Sequence, residues 1–136
     1  MYRIPVTVIP LLLAATIYAA DPSPGSNPLA RAQFTTAIED QEPVDNLTEL
    51  NGSIERIFCF TEFRNLPRQV VTHRWEYRGE VVSEARFHVD GPRSRVWSSK
   101  VLTPDRPGSW TVVIMAAHGE ILVEKTLDYN IEDPVF

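Results

Sequence analysis

Cysteine is almost missing from this 136-residue chain: Cys59 is the only one, so no intrachain disulfide can form and a disulfide-stapled mini-protein is excluded. Glycine is sparse, with six residues against eleven prolines, which argues against a long helical bundle. Histidine occurs only at positions 73, 88 and 118, and no two of these with Cys59 have metal-ligand spacing, so no metal site is expected. A surplus of positive charge is lacking too: 13 Lys and Arg face 18 Asp and Glu, a formal charge of −5, which speaks against a nucleic-acid partner. There is no Gly-x-Ser-x-Gly elbow, phosphate loop or dinucleotide fingerprint. Ser98-Ser99-Lys100 lacks the Ser-x-x-Lys spacing of a serine–lysine nucleophile, and Glu39, Asp40 and Asp45 lack the EF-hand spacing of a calcium loop. Catalytic residues, cofactors and metals are therefore all expected to be absent. The chain reads as a non-enzyme.

What is present begins with an export-like start. Met1-Tyr2-Arg3 carries one positive charge, and an apolar stretch from Ile4 to Ala20 ends in small residues before the polar Asp21-Pro22-Ser23-Pro24-Gly25-Ser26. Pro5 and Pro10 shorten its helical part below the about 20 residues that span a bilayer. Residues 1–20 are thus expected to be a signal peptide, with an uncleaved anchor to the inner membrane as the alternative. A lipoprotein would need a cysteine at the cut site, and there is none. Residues 21–30 read as a linker, 31–130 as the folded domain and 131–136 as a tail.

Within the domain, charge is uneven. From Asp21 to Phe63 two basic residues face eight acidic ones, from Arg64 to Lys100 eight face four, and from Val101 onward two face six. Hydrophobicity alternates with a period of two, which predicts strands at 32–38, 57–63, 71–77, 81–89, 95–101, 110–116 and 121–129. Acidic residues 39–43 and Asp90-Gly91-Pro92-Arg93 read as turns, and His118-Gly119 as a hairpin turn. An Arg78-Gly79-Glu80 loop bulged at the glycine would set Arg74 opposite Glu84. The last hairpin would pair Trp110 with Leu127, Ile114 with Val123 and Lys125 with Val112, so that the lysine must snorkel. Seven such strands predict an all-β domain, an antiparallel seven-strand, immunoglobulin-like β-sandwich. Its expected core is Phe34, Ile38, Phe58, Phe60, Trp75, Phe87, Trp110, Val112 and Ile114, with Cys59 a buried thiol and His73 a satisfied core or rim histidine.

Several blocks carry a family likeness. Arg31-Ala32-Gln33-Phe34-Thr35-Thr36-Ala37-Ile38-Glu39-Asp40, followed by Glu42-Pro43-Val44-Asp45, resembles the opening of the bacterial domain of unknown function 2914 family. Phe60-Thr61-Glu62, the run from Val71 to Tyr77, the run from Gly91 to Lys100 and Gly108-Ser109-Trp110-Thr111-Val112 resemble its later blocks in order. The likeness spans Arg31 to Tyr129 and departs at Cys59, where an aromatic is expected. It implies a bacterial envelope or membrane-associated protein and supplies no activity, substrate or catalytic residue.

These observations lead to a noncatalytic binding or interaction module of the cell envelope, exported to the periplasm or secreted; the alternative is an enzyme acting on an envelope polymer. The candidate binding face is Arg74, Arg86, Arg93, Arg95 and Trp97 from the basic middle of the chain. A tryptophan flanked by arginines suits an anionic envelope glycan, a lipid headgroup or an acidic protein. The competing expectation is that these arginines pair with Glu76, Glu84 and the acidic flanks while Trp97 completes the core.

Overall fold

The computed structural model describes Tyr2, residues 27–52 and residues 55–131. The expected signal or anchor segment at 1–20 and the tail at 131–136 fall almost entirely outside the described residues, whereas of the linker expected at 21–30 residues 27–30 are described, and Leu29 and Ala30 already belong to the first strand. Among the described residues all regular structure is extended: β1 (Leu29–Thr35), β2 (Ile38–Glu39), β3 (Glu42–Pro43), β4 (Glu49–Asn51), β5 (Glu55–Tyr77), β6 (Glu80–Leu102), β7 (Gly108–Met115) and β8 (Ile121–Asn130).

The all-β expectation holds, but the seven separate strands do not. Those expected at 57–63 and 71–77 fuse into β5, and those at 81–89 and 95–101 fuse into β6, each 23 residues long and paired antiparallel from end to end. Between the halves, Leu66 pairs with Gly91 and the register shifts before Gln69 pairs with Val89. Asn65 (φ 52°) and Gly91 (φ 80°) adopt left-handed backbone there. A bulge tolerates Pro67, which has no amide to donate, and it bends the strand. The residues read as a turn at 90–93 therefore fold the ribbon back without ending it.

The remaining strands extend the two halves. β1 pairs with the first half of β5, β7 with the second half, β8 with β7, and β4 joins β8 in parallel. The result is one curled mixed sheet, a half-barrel, with β1 and β8 meeting along its open side. The expected first strand is also corrected: it stops at Thr35, and Ile38 starts the β2–β3 ribbon, paired with Pro43.

Inside the curl lie Phe34, Ile57, Cys59, Phe63, Val71, Trp75, Trp110, Val112, Ile114, Leu127 and Tyr129, each at most 2% exposed. Of the expected core, Ile38, Phe58 and Phe87 are only half-buried, and Phe60 is buried but on the other face of β5. The last hairpin has the expected register, including Lys125 opposite Val112. In the β5–β6 hairpin Arg74 does stand opposite Glu84, but the turn is the two residues Arg78 and Gly79, and the bulge falls between Trp75 and Glu76. Two consecutive left-handed residues (φ 49° and 81°) match the twist of a two-residue hairpin.

Candidate functional site

Parity places Phe58, Phe60, Glu62 and Arg64 of β5 on the outer face, opposite the side occupied by Ile57, Cys59 and Phe63. Cross-strand register then builds two rows: Gln33, Phe60 and Trp97, and beside it Arg31, Glu62 and Arg95, with Arg64 opposite Arg93. Trp97 is therefore on the outer face and half-buried, not part of the inner core. The Arg31 guanidinium lies 4.9 Å from the centre of the Phe60 ring and helps cover it.

An acid within a central strand needs partners, and Glu62 has three. Arg31 Nη2 (3.1 Å) and Arg93 Nε (2.7 Å) donate to Oε1, and Arg64 Nε (3.2 Å) donates to Oε2. The residue is only 2% exposed. Burial works to raise its pKa, but the hydrogen bonds from Arg31 and Arg93 outweigh that and hold the carboxyl below the usual range. A second acid, Glu42, arrives from the β2–β3 ribbon. Its carboxylate takes a two-pronged contact from Arg31 (2.8 and 2.9 Å), one from Arg95 (2.8 Å) and one from Arg93 (3.2 Å). Hydrogen bonds from Arg31 and then Arg95 bring its pKa down to about 2. Both acids are ionised at neutral pH. Four guanidinium groups thus surround two carboxylates, a local excess of two positive charges.

Of the five residues expected on one binding face, the fold brings together Arg93, Arg95 and Trp97. Arg74 and Arg86 lie on the other half of the folded ribbon, where Arg74 Nε is 3.1 Å from Glu76 Oε1 and Arg86 Nη2 is 3.5 Å from Glu84 Oε2. A five-membered face required β6 to run straight, and it does not. Arg31, Glu42, Glu62 and Arg64 complete the cluster and were not singled out from the sequence. The available signal was Glu62 itself, an acid inside a strand that is apolar on both sides. Asp45, weighed above for calcium, accepts hydrogen bonds from Thr35 Oγ1, Thr36 N and Thr36 Oγ1 (2.7, 2.8 and 2.6 Å).

A second polar constellation is buried inside the curl. Thr61 Oγ1 lies 2.9 Å from His73 Nε2 and 3.2 Å from Val96 O, His73 Nδ1 lies 2.8 Å from Ser98 Oγ, and Trp75 Nε1 donates to Ser98 Oγ at 3.0 Å. One proton arrangement satisfies every group. Thr61 donates to Val96 O, His73 donates from Nε2 to Thr61, and Ser98 donates to His73 Nδ1. Burial pushes the His73 pKa down to about 4, and its ring meets Phe87 edge-on at 4.9 Å. His73 is a satisfied core histidine, as expected. A serine–histidine pair is present here, but both hydroxyl and imidazole are spent on structural partners.

Comparison with known proteins gives little beyond a family. No curated protein matches the chain. Among solved structures, it is similar to the Pseudomonas fluorescens alkylpurine DNA glycosylase AlkC bound to DNA containing an abasic site analog, at 16% identity and a TM-score of 0.46. That likeness covers 75% of this chain and 30% of that one. The model of the family described as protein of unknown function, DUF2914, matches residues 68–130, from the second half of β5 to the end of β8. That match supports the resemblance to the DUF2914 family that the sequence blocks carry.

Proposed function

We propose that this domain is a noncatalytic binding module of the bacterial cell envelope, exported or held at the inner membrane by its N-terminal segment, and that it recognises an anionic glycan. The observation that carries this reading is the excess of guanidinium over carboxylate on the outer face, directly beside a half-buried tryptophan. Arg64 and Arg93 have side chains 51% and 41% exposed, so their free N–H groups are open to solvent. Arginine presents its donors as a planar fork that matches carboxylate oxygens, and Trp97, two positions from Arg95 on the same face of β6, offers an apolar surface for a sugar ring. In this reading the two halves of the folded ribbon act as the layers of an immunoglobulin-like sandwich, one of which presents the binding face.

The alternative, an enzyme acting on an envelope polymer, would draw on the Ser98–His73 pair at 2.8 Å. That pair is enclosed with Trp75 and Thr61, and Ser98 is 9% exposed, so a polymer has no approach to it.

The test is direct titration of the domain with oligogalacturonate, an uncharged oligosaccharide, an oligoglutamate peptide and anionic lipid vesicles, at low and at high salt. The reading expects salt-sensitive binding of the oligogalacturonate that Arg95→Gln and Trp97→Ala both weaken. Preference for the peptide or the vesicles, or binding indifferent to both substitutions in folded variants, overturns it.

A further inference from the structure

We propose that the β2–β3 ribbon is a latch whose Glu42 carboxylate occupies the arginine site in place of a ligand's carboxylate, and that ligand binding displaces it. The inference rests on the binding reading above and adds how the site is guarded.

Three features of the ribbon point this way. It consists of only two residue pairs, Ile38 with Pro43 and Glu39 with Glu42, so little of its own pairing holds it in place. Its turn residues, Asp40 (φ 50°) and Gln41 (φ 61°), both adopt left-handed backbone although neither is glycine. A two-residue hairpin turn calls for this backbone and Asp tolerates it, but Gln41 has a Cβ and no such tolerance, so contacts beyond the turn help to hold it. Those contacts are with the arginines: Glu42 meets Arg31, Arg93 and Arg95, and Gln41 Oε1 accepts from Arg95 Nη2 at 3.3 Å.

The base of the ribbon is anchored independently. Val44 N bonds Ala37 O at 3.1 Å, and the Asp45 carboxylate binds Thr35 and Thr36. Residues 38–43 can therefore swing on a fixed base without disturbing β1. Glu42 is also reachable, with its side chain 40% exposed.

The two acids differ in the way a latch requires. Glu62 belongs to the central strand, is buried and cannot leave. It keeps Arg31 and Arg93 aimed through bonds of 3.1 and 2.7 Å whether or not Glu42 is present. When Glu42 departs, four guanidinium groups face a single carboxylate, and the excess rises from two positive charges to three. The vacated position has already been shaped by a carboxylate: Arg31 grips it with both Nη atoms while Arg95 binds it from β6. A uronate carboxylate fits the same fork.

Trigalacturonate titrated into the full domain is the test. An internal competitor lowers apparent affinity by the fraction of time the site is open, so a latch open about a tenth of the time costs about tenfold. Glu42→Gln is therefore expected to bind about tenfold tighter than wild type, and Arg95→Gln added to it is expected to abolish the gain. Hydrogen exchange of the unmodified protein supplies a readout that needs no variant: with ligand, the amides of Gln41 and Glu42 are expected to exchange faster, while that of Val44, bonded to Ala37 O at the fixed base, is not. Equal affinity of wild type and Glu42→Gln, or ribbon amides unchanged or slowed by ligand, overturns the latch and leaves the binding reading standing. No binding by either protein overturns both.

Discussion

Thr61 and His73 stand twelve positions apart on one strand, yet Thr61 Oγ1 and His73 Nε2 meet at 2.9 Å inside the molecule. They meet because β5 folds back on itself between Leu66 and Gln69, so its two halves face each other across the core. Lys100 and Ser83 of β6 do the same, with Nζ 3.4 Å from Oγ. The bent ribbon thus does with two strands what four separate strands would do in a sandwich. It is closed by polar contacts as well as by apolar packing.

That closure makes stability depend on pH. His73 stays neutral in the folded chain down to about pH 4, whereas an unfolded histidine takes up a proton near 6.5. Below pH 6.5 the unfolded state binds more protons, so stability declines as pH falls and levels off once the folded imidazole also charges. Full passage through that window is worth on the order of 3 kcal/mol. Urea midpoints measured between pH 7 and 5, where the carboxylates remain ionised, are expected to fall for wild type and to stay flat for His73→Gln. Parallel curves would mean that His73 is not neutral and buried.

Glu62→Ala is expected to destabilise the domain by about 1–3 kcal/mol. Removing one partner of a fully buried ion pair costs more, because the other charge is stranded in the interior. Here Arg31, Arg64 and Arg93 have side chains 35%, 51% and 41% exposed and can turn to water, which limits the loss. Glu62→Gln keeps the acceptor oxygen and should fall between. Chemical denaturation of the three proteins in 0.1 M and 1 M salt checks this, and a neutral Glu62→Ala would show that the cluster does not contribute to the fold.

Local patterns in the sequence were legible, and long-range geometry was not. The period-two alternation located every long extended segment, and parity placed Trp110, Val112 and Ile114 inward with their partners on β8. The same alternation is blind to a bulge, since Gly91-Pro92 looks alike whether a chain turns or merely bends. Hence the fused strands, and hence the separation of Arg74 and Arg86 from Arg93, Arg95 and Trp97. Glu42 was unreadable for another reason. It reaches Arg95 across 53 residues of chain, and nothing local in an acidic turn announces its partner.

Trp110→Ala is expected to cost about 3–5 kcal/mol, which approaches the whole stability of a domain this small. Trp110 is 1% exposed, stacks on Tyr77 at 4.8 Å between ring centres and donates from Nε1 to Arg106 O at 3.1 Å. Cys59 offers an internal reporter. It is fully buried, and burial pushes its thiol pKa up to about 12, so it presents almost no thiolate while folded. Thiol labelling of wild type should wait for denaturant, whereas Trp110→Ala should label in plain buffer. Rapid labelling of the folded wild type would remove Cys59 from the core.

Lys125 gives the last prediction. It alternates with Val123 and Leu127 on the inner side of β8, directly opposite the fully buried Val112. Its side chain is half-buried and borders a cavity of about 210 Å³ between β1 and β8, lined also by Leu29, Ala32, Leu122 and Val123. The aliphatic stem packs well there, but the ammonium must reach along the gap to find water, which restricts the rotamers of a long side chain. Methionine has a similar length, no charge to solvate and a stem that can fill the cavity. Lys125→Met is therefore expected to raise stability by about 0.5–1 kcal/mol, read as a higher thermal midpoint at unchanged cooperativity. A lower midpoint would show that the ammonium is held by an anionic or carbonyl partner along the open side of the half-barrel, and that this seam is closed by charge rather than by packing.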